Sequence, residues 1–102
     1  MSKKLLTNKF KDMKALNNEI DIYFQHSKQS WGKYLIFATI QYKGQTEQFE
    51  AVSHDSDFFD ELNDKIFNQS KFDEIQQLYY DKFFSYFEVK IIDYCYQIDI
   101  EE

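Results

Sequence analysis

The stretch KYLIFATIQYKGQTEQFEAVS, Lys33 to Ser53, decides the fold. Its first half, Lys33 to Tyr42, is rich in β-branched and aromatic residues and lacks Pro and Gly, which suits a pleated, half-buried backbone. Gly44 enters the left-handed region without steric cost, so a two-residue turn at Lys43-Gly44 follows. That turn sets Tyr42 opposite Gln45, Ile40 opposite Glu47, Ala38 opposite Phe49, Ile36 opposite Ala51 and Tyr34 opposite Ser53. Side chains alternate along a strand, so Tyr34, Ile36, Ala38, Phe49 and Ala51 share one apolar face. Leu35, Phe37, Thr39, Gln48, Glu50 and Val52 make up a mixed reverse face. A slip of one residue would scramble this sorting.

Outward from the hairpin, Leu5, Leu6, Phe10, Met13 and Leu16 recur at helical spacing among lysines, which predicts an amphipathic helix over residues 3–16. Ile20, Ile22 and Phe24 alternate with Asp21, Tyr23 and Gln25 as a short strand, and His26 to Lys33 reads as the turn into the hairpin. Beyond the hairpin, Asp55 or Ser56 caps a helix over residues 57–67. Phe58, Phe59, Leu62 and Ile66 gather on one side of it; Asp57, Asp60, Glu61 and Asp64 gather on the other. Ser70 with Asp73 resembles a capping box opening a further helix. Phe72, Ile75, Tyr79, Phe83 and Tyr86 form its expected buried stripe, with Asp73, Glu74, Gln77 and Asp81 facing away. The tail EVKIIDYCYQIDIEE alternates in period two and reads as a last strand. The expectation is a single domain over residues 1–102, α+β, in the order αβββααβ. Three helices would pack on an antiparallel sheet made of the meander and the C-terminal strand.

Composition narrows the function classes. A chain of 102 residues can bury roughly two thirds of its unfolded surface. Its 20% aromatic content supplies the apolar area to do so and argues against disorder. One cysteine allows no internal disulfide, and the N-terminus is too polar for a signal-peptide core or a membrane span, which predicts a cytoplasmic protein without membrane association. All 12 basic residues are lysine, so no guanidinium is present to grip phosphate in a fork. Residues 1–14 carry five lysines against Asp12, a net of +4, whereas residues 15–102 carry seven lysines against seventeen acids, a net of −10. Most of the surface repels nucleic acid and attracts basic protein surfaces.

Chemistry is sparse. Cys95 falls among aromatics, where a small buried filler is the usual role, and a catalytic thiol is the alternative. His54 with Asp55 and Asp57 is a conceivable metal set, set against capping and helix-dipole roles for the same residues. Both glycines belong to turns, so no phosphate-cradling loop exists. No cofactor, metal or catalytic site is expected, and the reading is of a protein that is not an enzyme. The pronounced feature is HDSDFFDELND, with five acids and no base. Carboxylates at Asp57, Glu61 and Asp64, stepped by a rise of roughly 1.5 Å per residue, can imitate a run of phosphates for a lysine- or arginine-lined groove. The candidate partner-binding residues are Asp55, Asp57, Asp60, Glu61 and Asp64, supported by Asp73, Glu74 and Asp81. Trp31, beside Gly32 in a polar loop, is a further candidate anchor; folding back as a lid on the sheet is the expected alternative, since aromatic area is usually buried.

In layout the chain resembles small anti-CRISPR proteins that inhibit Cas nucleases as DNA mimics. These share its size, acidity, N-terminal helix, three-stranded meander and two acidic helices. The resemblance covers residues 3–86, the last strand departs from it, and no motif is shared residue by residue. It implies a non-enzymatic phage or mobile-element inhibitor of a Cas nuclease. The alternatives are an immunity protein plugging the basic site of a nuclease toxin, a self-assembling protein using an exposed sheet edge, and an enzyme using Cys95 or His54.

Overall fold

The structure, a computed structural model, describes residues 20–101. They form an α+β arrangement of a three-stranded antiparallel sheet and two helices: β1 (Asp21–Ser30), β2 (Lys33–Tyr42), β3 (Gln45–Ser53), α1 (Ser56–Phe67) and α2 (Phe72–Glu101). The strand order is β1-β2-β3, with β2 central. The expected helix over residues 3–16 lies outside the described residues.

The hairpin has the expected register, from Tyr42 opposite Gln45 to Tyr34 opposite Ser53. Lys43 at φ 50° and Gly44 at φ 79° make the two-residue turn, both central residues left-handed as the twist of a tight hairpin demands. β1 is longer than its alternation suggested. It pairs with β2 through His26, Ser27 and Lys28, and after an irregularity through Ser30, so the turn shrinks to Trp31-Gly32. The polar residues read as a loop are a half-exposed edge strand whose hydrogen bonds to β2 do not depend on side-chain polarity.

The tail departs furthest from its period-two pattern. The described residues contain no C-terminal strand, and the order αβββααβ does not hold: residues 88–101 complete the 30-residue helix α2. No Gly or Pro occurs after Gly44 to stop a helix once it starts. β-Branched Val89, Ile91, Ile92, Ile98 and Ile100 cost a helix about half a kcal/mol each relative to Ala. Burying Ile91, Ile92 and Ile98 returns about 2 kcal/mol each, and the helix wins. At 3.6 residues per turn, Phe84, Phe87, Ile91, Cys95 and Ile98 fall on one stripe, and all are buried.

α2 crosses the inner face of the sheet from the edge strand β1 to the β2–β3 turn. At one end Phe24 packs near Tyr79 and Phe87 (ring centroids 5.9 and 6.3 Å). At the other, Phe49 meets Tyr94 edge-on at 6.3 Å, and the Tyr42 hydroxyl donates to Asp99 at 2.8 Å. α1 closes the opposite end of the sheet. Its Phe59 stacks on Tyr34 at 4.2 Å, and Phe59 and Leu62 are fully buried. A 12-residue helix is marginal alone, so these two side chains hold it in place. Ile66, expected on the buried side, is largely exposed.

α1 ends in a Schellman turn: Gln69 is left-handed at φ 60°, Ser70 N–H donates to the Lys65 carbonyl and Gln69 N–H to the Ile66 carbonyl. α2 then starts at Phe72, and the Lys71 carbonyl accepts from Ile75 N–H at 3.1 Å. Of the expected stripe, Tyr79 and Phe83 are buried and Ile75 half-buried, while Phe72 and Tyr86 are exposed. The stripe instead swings towards Phe84 and Phe87, because α2 must face both α1 and the sheet.

Candidate protein-binding surface

Helix α1 positions the acidic residues. Asp57, Asp60, Glu61 and Asp64 are all exposed, opposite the buried Phe59 and Leu62. Among the described residues no ion pair reaches them. Four pairs at i,i+3 or i,i+4 bring like charges together, each costing an exposed helix about 0.2–0.5 kcal/mol. Asp57, in the first turn, recovers some of this from the helix dipole; Asp64, near the C-terminal end, stands against it. The face is therefore held against a modest electrostatic penalty.

Asp55 differs from these four. Its carboxylate accepts from Phe58 N–H at 3.1 Å as the N-cap and forms an ion pair with Lys82 on α2. The Lys82 ammonium first, then the Phe58 amide, hold the Asp55 carboxyl below its usual pKa. It works as a structural clasp between α1 and α2.

Asp73, Glu74 and Asp81 are exposed too, but not beside the α1 face. α2 packs α1 through Phe83, which meets Phe58 at 5.3 Å and Phe59 at 5.9 Å, and through Lys82. At about 100° per residue, Asp73, Gln77 and Asp81 point to the far flank of α2. There Asp73 and Gln77 line an open groove of about 280 Å³ against the β1 edge, with Ile22, Phe24, Gln76 and Tyr80. Asp81 accepts from Gln77 Nε2 at 2.7 Å. The acids thus form two patches rather than one continuous field, since the outer face of a last strand that would have joined them does not exist.

Trp31 is 94% exposed at the tip of the β1–β2 turn, and does not fold back on the sheet. The tip is tethered to the start of α1, where His54 Nδ1–H donates to the Gly32 carbonyl at 3.1 Å. Trp31 therefore stands at the N-terminal end of the α1 acidic face.

The two residues considered for catalysis are differently placed. Cys95 is 2% exposed, and burial, with the Asp99 charge, pushes its thiol up to about 11, which suppresses the reactive thiolate. His54 is committed to Gly32, and Asp55 to its cap and Lys82. Among the described residues no three His, Cys, Asp or Glu side chains converge as a metal set. Nor is any helix of these residues long and apolar enough to cross a membrane.

One polar cluster has no counterpart among the expected site residues. His26 Nδ1 and the Tyr79 hydroxyl lie 2.7 Å apart, beside Phe59 and Tyr34. Burial pulls the His26 pKa below its usual 6.5, opposed by a hydrogen bond with Asn63, and pushes Tyr79 up to about 12. The signal was present, since His26 keeps the parity of Ile22 and Phe24 once the strand is allowed to continue. No known family, no curated protein and no solved structure matches the chain.

Proposed function

We propose that the chain is a non-enzymatic inhibitor that occupies a basic, nucleic-acid-handling site on another protein, a Cas nuclease being the first candidate. The observation that carries this reading is the α1 face: Asp57, Asp60, Glu61 and Asp64 exposed on one side of a packed helix, with no ion pair to them among the described residues and Lys65 the one base near them on α1. Successive turns set the carboxylates about 6 Å apart along the axis, a spacing that a groove built for phosphates accepts. Trp31 at the end of that face supplies the aromatic anchor such surfaces favour.

The test is target-DNA cleavage by a guide-loaded Cas nuclease with wild-type chain or the variant Asp57→Asn/Asp60→Asn/Glu61→Gln/Asp64→Asn. At about 0.5 kcal/mol per carboxylate, the variant is expected to inhibit about 30-fold less well, and wild-type inhibition to weaken as salt rises. The variant should also unfold at an equal or higher temperature, because its like-charge pairs are gone. Equal inhibition by the variant overturns the site; no inhibition by wild type overturns the proposed target.

A further inference from the structure

We propose that the open edge of β3 pairs with the same edge of a second copy of the chain, antiparallel and centred on Phe49, joining two three-stranded sheets into one of six strands. The two edges of the sheet are not equivalent. With Tyr42 and Gln45 closing a two-residue turn, odd-numbered residues of β3 direct N–H and C=O to β2 and even-numbered ones direct them outward. In keeping with this parity, Gln48 N–H donates to the neighbouring Glu47 carboxylate at 3.1 Å rather than into the ladder.

On β1 the same logic turns the groups of Phe24 outward, and there the edge is closed. The Gln76 side-chain amide accepts from Phe24 N–H at 2.8 Å and donates to the Phe24 carbonyl at 2.9 Å, imitating a neighbouring strand. On β3 the described residues offer no such two-sided device: only Gln48 N–H is taken, by the exposed Glu47 carboxylate next to it, which a partner strand can displace. Thr46, Gln48, Glu50 and Val52 are exposed, the strand contains neither Pro nor Lys, and no protein backbone group pairs with its outer edge among the described residues.

The strand's own sequence selects a second copy as the occupant. A two-fold through Phe49 pairs the whole of Gln45–Ser53 with itself: Gln48 meets Glu50, Thr46 meets Val52 and Glu47 meets Ala51. No carboxylate then faces another. Centring on Glu50 would set Glu50 against itself, and centring on Gln48 would leave the last two residues of the strand unpaired. The Phe49 register brings outward-facing residues together in four pairs, enough for about eight backbone hydrogen bonds. At its centre the two half-buried Phe49 rings meet where strands approach most closely, each already resting on its own Tyr94.

Sedimentation of the full chain over a concentration series tests this. Wild type should reach dimer and no further, and added salt should tighten the dimer as the net charge of −6 is screened. That is the opposite salt trend to binding by the α1 face, so this inference and the inhibitor reading fail separately. Glu50→Pro removes an outward N–H and no β2–β3 bond, and should weaken the dimer at least about tenfold with the far-ultraviolet circular dichroism retained. Phe49→Cys should form an interchain disulfide on mild oxidation, a readout independent of whether the proline variant folds. A wild type that stays monomeric at high concentration overturns the proposal, as does a dimer that Glu50→Pro leaves intact and Phe49→Cys does not cross-link.

Discussion

The hairpin Lys33–Ser53 and the tail Glu88–Glu101 both read as strands from β-branched and aromatic residues set out by side-chain parity, yet one is two strands and the other is the end of a long helix. The hairpin has a stop in its middle, Gly44, and a second run that matches the first residue for residue across it. The tail has neither. It follows an established helix without a break, and its period-two pattern contains a second pattern of period 3.6 in Phe84, Phe87, Ile91, Cys95 and Ile98. Alternation therefore specifies a strand only where something forces the chain to turn and supplies a partner.

Substitutions along the tail distinguish helix from strand. In an alternating strand Ile100 would share the buried side with Ile92 and Ile98; in the helix it is 58% exposed, while Ile91 is 0% exposed. Ile91→Ala should cost about 2–5 kcal/mol in urea unfolding, and Ile100→Ala no more than about 0.5 kcal/mol. A larger loss at Ile100 than at Ile91 would restore the strand.

The hairpin side is tested at its turn. Gly44→Ala meets no atom within 4 Å, so its cost is that of a left-handed backbone alone, about 1–2 kcal/mol. A neutral outcome would mean that the turn does not set the register.

The smallest effect lies where sheet and helix meet, at His26 and Tyr79. The groups around the imidazole are the Tyr79 hydroxyl, Asn63 and the rings of Phe59 and Tyr34, none of them charged. Burial lowers the pKa of His26 in the folded chain, so the unfolded chain binds the proton more readily. Stability from this source is complete above pH 6.5 and is lost as pH falls from there towards the folded pKa. His26→Gln should flatten the dependence of the melting temperature on pH in that window, as thermal unfolding across a pH series would show.

The acidic surface divides along similar lines. That Asp57, Asp60, Glu61 and Asp64 share a face follows from helical period and was legible in the chain. That Asp55 is spent on a cap and on Lys82, and that Asp73 and Asp81 look the other way from α1, was not. These depend on how α1 and α2 are rotated against each other, which Phe58, Phe59 and Phe83 decide by packing. Trp31 stays exposed for a related reason: burial of an aromatic needs a surface within reach, and the extended β1 carries the turn beyond the sheet's core.

By itself the amino-acid sequence determined the hairpin, its register, the capped helix α1 and the excess of negative charge, because each arises from neighbours a few residues apart or from a simple sum. The state of the last fourteen described residues, the length of β1 and which carboxylates remain unpaired depend instead on packing between elements. In those places local preferences nearly cancel, and the balance passes to contacts between residues more than fifty positions apart, such as Tyr42 with Asp99 and Phe24 with Gln76.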